Sequence, residues 1–311
     1  MLINLVPDFL AVIGSADPVA AYGTYYHAHE QILSAYWQNY VIDPDAPQFA
    51  DVVQATVAAP RDDLRAMLAH TDVLTIARTA EQRCRELLEI DVDFDVVLMI
   101  GVGGANAGEI VVDGRGMAFV CLEHFTGVAN PDTHGLGLEP ELIALWLAHE
   151  IAHVVRYTSP QSRSLMKSLV AHSGGDYSYW DTGRAASLRE LLANEGIAVH
   201  VSRAVSPGHA VWEYYGYTRK EFARVRELAP AIERAANADA DRVGLGLRLK
   251  YLLGGMSAAA RTADRLVLPE RAGYFVGARM VEAAIARRGL PWAVRAPAEE
   301  LVAAQSEART A

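Results

Sequence analysis

Residues 142–155 read LIALWLAHEIAHVV, and within them Glu150 is the single charged side chain. A helix built from this run is apolar on nearly every side and therefore belongs inside a folded protein. It is too short to span a bilayer, and Glu150 breaks it. An ionised carboxylate buried without a partner is costly, so the fold must bring a cation to Glu150. The chain has 311 residues, 51% of them hydrophobic. That is enough to wrap such a helix on all sides in one large unit. We expect a single catalytic unit over residues 1–311, with sub-lobes 1–157 and 158–311.

The same run contains His149-Glu150-Ile151-Ala152-His153. Residues four apart on a helix share a face, so His149 and His153 can each give a ring nitrogen to one zinc ion. Glu150 sits beside the first ligand as the general base for a metal-activated water. A catalytic zinc site takes a third protein ligand, and Glu195 is the best candidate. It shares a helical face with Leu188, Leu191, Leu192, Ala198 and Val199, a carboxylate in an apolar stripe. Gly196 would let its helix approach the His149 helix closely. Pairing with an arginine at the edge of the core is the plainer role for Glu195, and Asp176 or Asp181 could supply the third ligand instead. Glu190 lies on another face. The glycine-rich stretch 101–108 offers a sheet edge for an extended substrate, with Gly104 permitting close approach and Asn106 supplying an amide. His27 and His29 point to different helix faces, and His124, His134, His172, His200 and His209 lack ligand-like spacing.

Elsewhere the pattern is mostly helical. Asp17-Pro18 and the aromatic spacing beyond it predict a helix over 17–40, followed by helices over 61–70 and 73–90. Asp113-Gly114 between apolar runs predicts a hairpin. After it come helices over 139–157, 161–172, 184–204, 218–238, 240–254 and 271–289, and a last one within 295–311. The fold class expected is α+β, predominantly helical, with a small antiparallel sheet packed on the His149 helix. Cys84 and Cys121 stand alone in different elements and read as small buried hydrophobes. A net charge of −10 argues against nucleic acid or an anionic membrane as partner. The N-terminus lacks a basic n-region, so a cytoplasmic location is expected, with a peptide or protein as the substrate.

Three segments resemble the bacterial YjaZ-type family of predicted zinc-dependent proteases. Residues 149–156 resemble its H-E-x-x-H followed by arginine, Asn194-Glu195-Gly196-Ile197-Ala198 its E-G-[LI]-A segment, and residues 271–277 its G-Y-x-x-G helix start. The resemblance implies a zincin-like, gluzincin-type metallopeptidase with Glu195 as third ligand. It further implies Tyr274 as the phenol stabilising the oxyanion, with Tyr214, Tyr215 and Tyr217 as competitors. Arg156 would hold a ligand or a carboxylate in position. The expected activity is peptide hydrolysis dependent on one Zn2+. Hydrolysis of another amide or ester, or a non-catalytic binding role, are the alternatives. Manganese or cobalt could also occupy such a site.

Overall fold

The apolar N-terminus enters a sheet. In the computed structural model, which describes residues 1–130, 133, 137–253 and 267–302, β1 (Leu2–Asn4) leads into α1 (Val6–Ile13). Then follow α2 (Pro18–Ala28), α3 (Glu30–Tyr40), α4 (Phe49–Ala58), α5 (Asp62–His70) and α6 (Val73–Leu88). Asp17 caps α2 through the Ala20 N–H, as its place before Pro18 predicts. The helix expected over 17–40 is two helices, because His29 leaves helical geometry at φ −124° and its ring bonds Asp8.

Three further strands, β2 (Phe94–Met99), β3 (Ala107–Val112) and β4 (Arg115–Cys121), complete a four-stranded sheet in the order β1-β2-β4-β3. The expected antiparallel sheet is in fact mixed. β1 with β2 and β2 with β4 pair parallel, and only the β3–β4 hairpin is antiparallel. The reason lies in burial: β2 is buried along its whole length, as a central parallel strand covered on both faces must be. The hairpin turn lies where Asp113-Gly114 placed it, both residues having positive φ, +52° and +77°, as the preferred two-residue turn demands.

After the sheet come α7 (Ile143–Thr158), α8 (Leu165–His172), α9 (Tyr179–Ala185) and α10 (Leu188–Val205). They are followed by α11 (Arg219–Asp239), α12 (Leu245–Arg248), which runs on into a π-helical turn, then α13 (Ala272–Arg288) and α14 (Leu290–Ala293). Of the last helix expected within 295–311, residues 298–302 are helical and the remainder lies outside the described residues, as does His134.

The two faces of the sheet have different partners. Gly116 faces α7 so closely that a Cβ there would lie 2.4 Å from Val154. Alternation then turns Phe119 to the opposite face, where Tyr36 and Tyr40 of α3 pack edge-on against it at 5.5 and 5.1 Å. α7 is thus enclosed by the sheet on one side and by α6 and α10 on others, and every residue of it from Leu145 to Tyr157 is buried. Cys84 and Cys121 are buried free thiols. Among the described residues, no helix is long and apolar enough to cross a membrane.

Candidate metal centre

Helical spacing brings His149 and His153 together on one side of α7, their ring centroids 4.8 Å apart. α10 packs across that side and inserts Glu195. Its Oε2 lies 3.1 Å from Nε2 of His149 and 3.5 Å from Nε2 of His153. One ligand atom from each of the three residues falls within a 4.8 Å cluster, and all three residues are at most 6% exposed. Two imidazoles and a carboxylate are the donor set of a catalytic zinc site, so the residues fit the ion. Neither ring has an acceptor for Nδ1 among the described residues, so neither is oriented by the outer hydrogen bond that metal-binding histidines usually make.

Charge within the centre follows from burial and contact. Burial alone would lower His153, but the Glu195 carboxylate outweighs it and raises the ring to about 9. Glu195 is held well below the usual carboxylate range, because the nearby imidazoles outweigh the burial that would raise it. His149 is lowered by burial. Glu150 is raised far above the ordinary range by burial, with repulsion from Glu109 and Glu195 adding to it and the His153 charge opposing it. An imidazolium–carboxylate pair thus stands where a divalent ion would bind.

The second ligand helix is fixed by glycines. A Cβ on Gly196 would lie 2.2 Å from the Gly277 carbonyl oxygen, and one on Gly277 would lie 2.1 Å from that of Leu192. α10 and α13 therefore cross in backbone contact. Gly196 permits a close approach, but to α13 and not to α7 as the sequence reading expects. The crossing sets Tyr274, near the start of α13, over His149 with rings 5.7 Å apart and 18° from parallel. The competing tyrosines are engaged elsewhere: Tyr214 donates to the Ser206 carbonyl, Tyr215 accepts from Arg203 and Tyr217 donates to the Arg271 carbonyl.

Arg156 touches no metal ligand. Its guanidinium grips Glu190 at 2.6 Å and the Ala296 carbonyl at 2.8 Å, tying α7 to α10 and to the turn after α14. Asp181 pairs with Arg184 at the surface, and Asp176 accepts from the Asp113 N–H; neither belongs to the ligand cluster. Gly104 lies against α3, where a Cβ would meet the Tyr40 carbonyl at 2.6 Å. Its small size serves packing there. Asn106 is buried, its Nδ2 without a partner among the described residues and its backbone carbonyl accepting from the Cys121 N–H.

One group at the centre escaped the sequence reading. Glu109, on β3, accepts from Tyr157 at 3.1 Å, with the Tyr40 hydroxyl 2.9 Å away, and lies close enough to Glu150 to help push that carboxyl up. Tyr157 in turn accepts from Asn194 at 2.8 Å and stacks on His153. The available signal was a carboxylate on the same strand face as Val111 in an otherwise apolar run.

No family model, no curated protein and no solved structure matches the chain.

Proposed function

We propose that the protein is a zinc-dependent metallopeptidase of zincin-like, gluzincin type. The observation that carries this reading is the convergence of His149, His153 and Glu195 on one point, with Glu150 buried next in sequence to the first of them. A small sheet lying on the histidine helix supports the zincin-like arrangement, and the resemblance of three segments to YjaZ-type motifs supports the choice of peptide bonds as substrate.

His149, His153 and Glu195 would hold a zinc ion, which when bound would supply Lewis-acid polarisation of the scissile carbonyl and activate a water near neutral pH. The charge of a bound cation would bring the buried Glu150 carboxyl back to its ionised form, in which it accepts the proton of the attacking water and passes it to the leaving amine. Tyr274, stacked on His149, donates its phenol proton toward the developing oxyanion. Its burial, with the Glu195 charge nearby, raises it well above the ordinary phenol range, so it stays a donor at neutral pH. Arg156 keeps α7 and α10 in register through Glu190.

The test is metal content and peptide hydrolysis of the wild type and of Glu150→Gln. Both should bind one zinc per chain, and turnover should fall by about 10²–10⁴ in the variant. Undiminished turnover in Glu150→Gln, or unchanged zinc affinity in Glu195→Ala, refutes the reading.

A further inference from the structure

We propose that Arg61 holds the carboxylate of a small aliphatic acid in a cavity between α4 and the turn after β2. The cavity measures about 270 Å³ and is lined by Asp51, Val52, Ala55, Thr56, Arg61 and Val102. It shares no residue with the metal centre. Ligand pockets start at roughly 300 Å³, so this one suits a small molecule. Val102 follows β2, and its N–H donates to the Tyr36 hydroxyl at 3.0 Å. The cavity therefore lies beyond the carboxyl end of a parallel strand, where such sheets leave a crevice for ligands. Asp51 and Ala55 are exposed and form its mouth, while Thr56 and Arg61 are buried and form its floor.

The charge at the floor is unmet. Arg61 stands just before α5 and is 6% exposed. Its guanidinium is always charged and carries its donors in a planar fork. Among the described residues that fork makes one hydrogen bond, from Nη2 to the Thr56 carbonyl at 3.3 Å, while Nε has no partner. Glu123 senses the guanidinium's charge, but no ion pair joins the two, and the Glu123 carboxylate accepts instead from the Gly101 N–H at 3.0 Å. Burial pushes the Glu123 carboxyl up, which makes it a weak counter-ion. A buried charge in this condition is costly until an anion joins it.

Chemistry selects the anion. A carboxylate presents coplanar acceptors to the fork and brings a single charge, which one guanidinium offsets. A phosphate dianion would carry a second negative charge toward Glu123 and Asp51. Val52, Ala55 and Val102 supply aliphatic walls, against which a short hydrocarbon body leaves water. The Thr56 hydroxyl already donates to the Val52 carbonyl at 2.8 Å, so recognition of the anion falls to Arg61. Asp51 precedes Thr56 by five residues, about 7–8 Å along α4, and would meet an amino group at the mouth if the acid carries one.

The experiment is calorimetry on the full-length protein with isovalerate, L-leucine, isoamyl alcohol and inorganic phosphate as probes. Isovalerate should bind saturably, and about ten- to a hundredfold more tightly than the alcohol, which has the same body without the charge. Arg61→Met should remove that advantage. Ala55→Phe, at an exposed position in the mouth, should block the acid while leaving the guanidinium in place. L-Leucine that outbinds isovalerate, and loses its lead in Asp51→Asn, identifies an amino acid as the ligand; L-leucine that binds no better identifies a plain acid, and either result supports the site. No binding of either acid, equal binding of acid and alcohol, phosphate preferred to both acids, or wild-type acid affinity in Arg61→Met overturns the proposal. If Arg61→Met does not fold, the acid–alcohol comparison on the wild type and on Ala55→Phe decides, with an acid affinity untouched by Ala55→Phe counting against the cavity.

Discussion

The His153–Glu195 pair makes metal affinity and metal-free stability depend on pH in opposite directions. A ring raised from 6.5 to about 9 holds its proton through the neutral range, and zinc must displace that proton to bind. At pH 7 about one ring in a hundred is free, so zinc affinity should rise about tenfold per pH unit from 7 toward 9. The metal-free fold behaves inversely. Its folded-state pKa lies above the unfolded value, so the pair's contribution is complete below 6.5 and is lost as pH rises through 9. A shift of this size corresponds to about 3 kcal/mol. The lowered Glu195 reports the same interaction from its other partner, so the two shifts do not add. Zinc competition against a chelator of known pH dependence measures the first trend, and urea denaturation of the stripped protein between pH 6.5 and 9 the second. Affinity that stays flat over this window, or a stripped protein that gains stability as pH rises, would refute the assignment of the proton to this pair.

Other perturbations read separate parts of the structure. Gly196→Ala drives a methyl group into the Gly277 carbonyl and should destabilise the fold by about 1–3 kcal/mol, visible in thermal denaturation; an unchanged Tm contradicts the backbone contact. Arg156→Met strands Glu190 in the core and should cost about 3–5 kcal/mol. Adding Glu190→Leu should recover much of that loss, and failure to do so would place the loss elsewhere. Tyr274→Phe should lower kcat by about 10²–10³ with little change in KM or zinc content; intact kcat removes the phenol from the chemistry.

The ligand helix was legible because three signals coincide in residues 142–155: length, apolarity and two histidines one turn apart. Glu195 was legible for a related reason, as a carboxylate that interrupts a helical stripe. The hairpin followed from Asp113-Gly114, whose backbone few other residue pairs adopt easily. What escaped reading depends on contacts distant in sequence. β1 is three half-buried residues whose identity as a strand comes from pairing with β2, some ninety positions later. The break at His29 depends on the same kind of distant contact, here with Asp8. Glu109 looked like an ordinary strand residue until α3, α7 and the segment around Tyr177 closed around it. Gly196 was assigned the correct kind of role toward the wrong neighbour, since spacing shows that a helix needs a bare spot without showing what lies against it.

The glycine crossing of α10 and α13 acts as a detent. Sliding either helix by one residue moves its side chains about 1.5 Å along the axis, whereas a metal bond tolerates about 0.2 Å. Because backbone rests directly on backbone at Gly196 and Gly277, the two rods lack the cushion of side chains that could absorb such a slip. The span from Glu195 to Tyr274 is thus pinned at a point where main chain meets main chain, beside which the Leu192 side chain packs against Gly273.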